Sequence, residues 1–235
     1  MAKNDPLHTL LAFMAADRYQ PQTPPSAERP PVITVARSHG SGGEAIAARV
    51  AATLGITCFD KELMDGVVGA AQTDKAAMRT LDEKLPVREG TFLFASLLGL
   101  NDPLPEYQRT LARVVKGIAW GGGVIVGRGA HLILRGTPCF RVRVVGSEEV
   151  CARRLAGGDA TRVPALVEEV RTVNRQRTEF LTETFRVPPD DPLQYDLVVN
   201  TDTLGDVEAV ATLVVQAFRA GSGMTMADGA TPRKG

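Results

Sequence analysis

Residues 32–54 read VITVARSHGSGGEAIAARVAATL: a β-branched run, a glycine-rich turn and an amphipathic stretch in immediate succession. No other segment constrains the fold as much. A strand that runs straight into a helix is not returned by a hairpin, and its next sheet neighbour has to be reached by a crossover, which favours parallel pairing. The same alternation continues along the chain. ITCF (56–59), GVIVG (123–127), FRVRVV (140–145) and DLVVN (196–200) are short β-branched runs bounded by turn-forming residues. Ile46, Val50 and Leu54 share one helical face after the first run, and Leu166, Val170 and Val173 mark a longer helix before the last. The pattern predicts five parallel strands with helices on both faces.

One interval breaks the rhythm. More than 60 residues separate the second and third runs, and they read as several helices. That exceeds an ordinary crossover and predicts a helical insertion beside the sheet, over about residues 61–118. With 235 residues, 44% hydrophobic and 23% charged, the chain has the composition of one α/β domain with appendages. The domain is expected over 31–220. Before it, an amphipathic arm leads into the proline-rich QPQTPPSAERPP, expected as an extended linker within residues 1–30; after it, 221–235 is glycine-rich and polar and is expected to be a flexible tail.

Charge and cysteine usage exclude several classes. Lys plus Arg equals Asp plus Glu at 27 each, so no overall field draws the chain to a nucleic-acid polymer or an anionic membrane, and any anion site has to be local. Cys58, Cys139 and Cys151 are scattered without metal-ligand spacing. His8, His39 and His131 form no metal spacing either, and Trp120 and the tyrosines do not alternate with basic residues as a base-stacking platform does. No apolar run approaches the roughly 18 to 20 residues needed to cross a bilayer. A cytoplasmic location is expected.

The turn after the first strand carries the chemistry. Backbone N–H groups of such a turn converge with the positive end of the following helix, and glycines let phosphate oxygens approach the main chain. Two ligand readings compete. Gly40, Gly42 and Ala45 fit the dinucleotide pattern G-x-G-x-x-G/A, with Asp60 near the end of the next strand as a ribose-binding acid. The larger loop instead fits a mononucleotide P-loop, G-x-x-x-x-G-K-[ST], if Arg37 takes the place of its first glycine and Gly42 that of its second. Gly43 then replaces the phosphate-binding lysine, and Glu44 the hydroxyl that holds Mg²⁺. Phosphoryl transfer depends on positioning and charge stabilisation, so another cation has to supply what the lysine would.

Three stretches, ITVARSHGSGGEAIAARVAATLGITCFDKELM, GGGVIVGRGAHLIL and DDPLQYDLVVNTDTLGDVEAVA, together resemble the cytidylate kinase-like family, a divergent branch of the nucleoside monophosphate kinases, across most of residues 32–218. The resemblance implies a P-loop NTPase-like three-layer α/β/α fold with a five-stranded parallel sheet, a helical monophosphate-binding insertion and an arginine-bearing lid over about 153–180. It implies ATP and Mg²⁺ as cofactors, the metal held mainly by nucleotide oxygens and water, and a nucleoside triphosphate and a nucleoside monophosphate such as CMP as partners. Arg37, Ser38, His39, Gly40, Ser41, Gly42, Gly43, Glu44 and Ala45 fall on the triphosphate-binding loop. Asp60, Lys61 and Arg128 fall on the acceptor side. Arg128, Arg171, Arg175 and Arg177 are the candidates for stabilising transition-state charge. The chain departs from the family's pattern at Glu44, where members carry a cation, at Gly127 and Gly129, which flank Arg128 where acids are expected, and at Asn174 in place of a lid acid. Those departures set a catalytically inactive nucleotide-binding or regulatory module beside the kinase reading.

Overall fold

The computed structural model describes residues 30–73, 106–187 and 191–224. The expected arm and linker and the middle of the insertion lie outside the described residues. The strands are β1 (Val32–Arg37), β2 (Cys58–Phe59), β3 (Gly123–Val126), β4 (Phe140–Val145) and β5 (Leu197–Asn200). The helices are α1 (Gly43–Leu54), α2 (Lys61–Thr73), α3 (Glu106–Gly121), α4 (Ala130–Ile133), α5 (Glu148–Ala156), α6 (Val163–Phe185) and α7 (Val207–Met224). The last helix therefore continues to Met224, into the segment expected to be a tail. Phe218 packs edge-on against Phe140 with ring centroids 6.0 Å apart, which fastens its final turns to β4.

All pairings are parallel and the order is β2-β3-β1-β4-β5. This order separates the two nucleotide readings. A dinucleotide-binding half places the second strand beside the first, whereas here β3 lies between them. The sheet with its flanking helices is an α/β fold consistent with a P-loop kinase-like domain, and the dinucleotide alternative is set aside.

Strand alternation sorts the core into two layers. Ile33, Val35, Val124, Val126, Val142 and Val144 face one way and pack on Ile46 and Val50 of α1 and Val210 and Val214 of α7. Val32, Ile125 and Phe59 join the opposite cluster with Val67 of α2, Val114 of α3, Leu132 of α4 and Leu181 and Phe185 of α6. Both faces of β1 are covered, which is why every one of its residues is buried. α6 also packs on α5 through Leu166, Val170, Cys151 and Ala152. Helix α1 starts at Gly42 (φ 81°) and stops at Gly55 (φ 65°), left-handed positions that only glycine occupies without strain. The sheet thus sets the carboxyl ends of β1, β3 and β4 side by side, with the glycine loop, residues 127–129 and the start of α5 opening from them.

Candidate functional site

Construction of the site begins at Arg37, the last residue of β1. Its side chain is only 7% exposed and is threaded between two glycines. A Cβ on Gly43 would sit 2.5 Å from Arg37 Cβ, and one on Gly127 would sit 2.2 Å from Arg37 Nη1. The two positions where the sequence has lost a lysine and an acid are therefore the space that Arg37 occupies. A guanidinium held in this way keeps its charge when water is expelled, which suits it to phosphate oxygens.

Glu44, in the first turn of α1, answers that cation. Its Oε1 accepts from Arg37 Nε at 2.8 Å and lies 3.7 Å from Arg177 Nη2. Burial works against the carboxylate's charge, but Arg37's field and hydrogen bond, the residue's own main-chain N–H and Arg177 outweigh it, so its carboxyl sits below the usual range. The carboxylate is thus turned back toward the start of its own helix, between the Arg37 and Arg177 guanidiniums.

Helix α6 supplies Arg177. Nη1 donates to the Arg37 carbonyl at 3.0 Å. Burial, followed by Arg37, pushes its pKa down to about 10, with Arg143 and Arg128 adding to the effect and Glu44 opposing it. Four guanidiniums (Arg37, Arg128, Arg143 and Arg177) thus gather against the carboxylates of Glu44 and Asp65 among the described residues. Arg128 bonds Asp65 of α2, its Nε is buried with no partner, and its φ of 53° lies between Gly127 (78°) and Gly129 (66°). A non-glycine residue in that region costs on the order of 1 kcal/mol, and such strain concentrates at functional positions. Gly129 is required for packing as well, since a Cβ there would come within 2.3 Å of Phe185 Cε2. Tyr107 of α3 adjoins this corner, coupled electrostatically to Arg128 and Asp65.

The loop between β1 and α1 is tied down by its carbonyls. Arg154 of α5 bridges Gly40 O at 2.6 Å and Thr201 O at 3.0 Å. Thr201 Oγ1 donates to Ser41 O at 3.0 Å. Ser41 Oγ donates to Ser38 O at 2.8 Å, and Ser38 N donates to Val144 O. His39 N donates to Asn174 Oδ1 at 2.7 Å, so the residue that replaces the lid acid holds the loop to α6. These contacts fix residues 38–41 of the loop.

Several expected residues take other roles. Arg171 is engaged by Glu148 and Glu168, and Arg175 lies 3.8 Å from Glu179. At 50% and 65% exposure, neither converges on Arg37. The reason is helical phase: the buried residues Leu166, Val170 and Leu181 set the inward stripe of α6, which passes through Asn174 and Arg177 and misses 171 and 175. Asp60 caps α2, accepting from Leu63 N at 2.9 Å, and Lys61 is exposed. His39 turns its ring to Glu169 at 3.1 Å, and the Ala45 side chain lines the recess between α1 and α7. Sequence reasoning missed Asp65, Tyr107, Arg143 and Thr201, and it placed Arg154 among the lid arginines, whereas the side chain holds the glycine loop by its carbonyls. The visible signal for Arg143 was the alternation FRVRVV, which puts two arginines on a face that an α/β sandwich covers.

Cys58, Cys139 and Cys151 form no disulfide. Burial raises the pKa of Cys58 to about 11 and also raises those of Cys139 and Cys151. No group of three or more His, Cys, Asp or Glu among the described residues is placed to hold a metal ion. No described helix is long and apolar enough to cross a membrane.

Comparison with known proteins follows the same lines. A family model described as the cytidylate kinase-like family matches residues 32–203. A crystal structure of an uncharacterized protein from Eubacterium ventriosum aligns with a TM-score of 0.64 at 18% identity, covering 82% of this chain and 99% of that one, a likeness of fold. Among curated proteins none matches.

Proposed function

The chain belongs to the cytidylate kinase-like family, and from that premise we propose that it binds nucleotide phosphates at the arginine cluster and transfers a phosphoryl group from ATP to a nucleoside monophosphate such as CMP. The observation that carries the reading is the convergence of Arg37, Arg128 and Arg177 at the carboxyl ends of β1 and β3 beside the glycine loop. Ligands of parallel α/β sheets bind at that end. Arg37 supplies the charge that a P-loop lysine would, Gly40 to Gly43 supply main-chain N–H groups, and Arg177 reaches in from the lid side. Arg128, with Asp65 and Tyr107, forms the acceptor side. A phosphate acceptor is already a nucleophile, so no general base is required.

The donor set suits ATP better than it suits a protein-bound metal. The arginines match polyphosphate, while Glu44 is engaged by Arg37 and the positions flanking Arg128 are glycine. Mg²⁺ would therefore be held by nucleotide oxygens and water, neutralising charge on the transferred group.

A second reading rests on Glu44. Its carboxylate lies where a phosphate would be received, an arrangement that suits a binding or regulatory module as well as an enzyme. A coupled assay for ADP formation across nucleoside monophosphates with Mg-ATP separates the two. Acceptor-dependent turnover that is lost in Arg128→Gln and kept in Arg171→Gln supports the kinase; saturable nucleotide binding without turnover supports the module. Absence of any nucleotide or pyrophosphate binding removes both.

A further inference from the structure

Arg143 projects from β4 on the sheet face that carries Ala36, its register partner and the residue before Arg37. Helix α6 covers that face with Leu181 and Phe185, and Arg177 lies one turn before Leu181. Arg143 therefore lies on the sheet face that α6 covers, near enough for its charge to act on Arg177. Its guanidinium carbon lies 5.9 Å from the centroid of the Tyr195 ring. Tyr195 is in turn stacked on His131, with centroids 4.9 Å apart and planes inclined by 30°. The Tyr195 hydroxyl and His131 Nε2 are 3.2 Å apart. His131 is 4% exposed and is held neutral, burial and then Arg143 lowering its pKa to about 4 while a hydrogen bond with Gln194 opposes them. A neutral imidazole accepts at one nitrogen and donates from the other, so it can bond the hydroxyl and Gln194 together.

This assembly has no catalytic geometry of its own, and Tyr195 already has a ring stacked on it. What it does is hold a guanidinium. A cation over an aromatic face is attracted by the ring and loses side-chain freedom there. We propose that Arg143 is a further phosphate-binding residue of the arginine cluster, and that Tyr195, clamped by His131, is the positioning residue that aims it.

The proposal rests on the reading of the cluster as a phosphate site, and the test separates their failures. Pyrophosphate and ATP are titrated by calorimetry into the full chain and its variants, with circular dichroism and Tm confirming the fold of each. Loss of a charge-assisted contact is expected to weaken pyrophosphate binding about tenfold in Arg143→Gln. Tyr195→Leu is expected to approach the same loss, Tyr195→Phe, which keeps the ring, to stay within about threefold, and Arg143→Gln with Tyr195→Leu to be no weaker than Arg143→Gln alone. If Tyr195→Leu does not fold, the phenylalanine variant and the pair Arg143→Gln and Arg143→Lys carry the test, the lysine losing less than the glutamine. Weakened binding in Arg177→Gln with unchanged affinity in Arg143→Gln would overturn the proposal and leave the site standing. Unchanged affinity in both, or no binding by the native chain, would overturn the site and the proposal together.

Discussion

Replacing Glu44 by glutamine tests the central feature of the proposed site, a carboxylate seated between the two guanidiniums assigned there to phosphate. Two opposing effects follow. The bond to the buried Arg37 Nε is lost as an ion pair but kept in part as a neutral hydrogen bond. A hydrogen bond to a charged group contributes about 1.5–3 kcal/mol, and Glu44 is 47% exposed, so a loss of about 1 kcal/mol is expected. For a domain of this size that is about 2–4 °C in Tm. Anion binding moves the other way. A phosphate received by Arg37 and Arg177 would lie roughly 5 Å from the carboxylate, where removing one negative charge is worth about 2–3 kcal/mol at an effective dielectric constant of 20–40. Screening at this half-exposed position trims the figure, leaving about tenfold or more in affinity. The assay is pyrophosphate and ATP titration of both proteins at low and high salt, with Tm measured alongside. Glu44→Gln should be less stable without ligand and bind pyrophosphate more tightly, the gain shrinking with salt. The carboxyl's lowered pKa means the ion pair is present at neutral pH and is lost only as pH falls through that lowered value, so the stability difference between the two proteins should narrow on acidification. Equal or weaker pyrophosphate binding by the variant would refute the reasoning; weakening seen only with Mg²⁺ would reassign the carboxylate to the metal.

Two further outcomes follow from particular groups. His131 takes up a proton near 6.5 in the unfolded chain but only near 4 when folded, so stability should fall as pH drops through that interval, by on the order of 3 kcal/mol in full; His131→Asn should flatten this part of a urea-melt series against pH. Gly127→Ala forces a side chain into a φ of 78° and against Arg37 Nη1, so it should lower Tm by several degrees and abolish pyrophosphate binding, whereas retained binding would show that Arg37 is not held by that glycine.

How much of this was legible beforehand differs between scaffold and site for a physical reason. β1 and β3 were visible because parallel strands buried on both faces are rich in β-branched residues, and β4 and β5, each half-covered, because their valines stand in short runs between turn-forming residues. β2 was overextended: ITCF has the composition of a strand, but the ladder with β3 pairs only Cys58 and Phe59, with Thr57 O accepting from Val124 N at its edge. Arg37 and Arg128 were legible because each sits at the end of a strand whose direction the pattern fixes. Arg177 could be separated from Arg171 and Arg175 only once the inward stripe of α6 was known, since three arginines within seven residues fit more than one helical phase. The glycines reversed their meaning. Read along the chain, Gly43 and Gly127 were losses of a lysine and an acid; in three dimensions they are the room that lets a buried arginine lie across the ends of β1 and β3. Compensation of this kind joins residues about 90 positions apart, and no local pattern encodes it. Arg143 is the intermediate case. Arginine alternating with valine on an interior strand carries a desolvation penalty that the covering layer has to offset, so the spacing itself demanded a polar counterpart. Tyr195, whose ring centroid lies 5.9 Å from the Arg143 guanidinium carbon, is part of that counterpart.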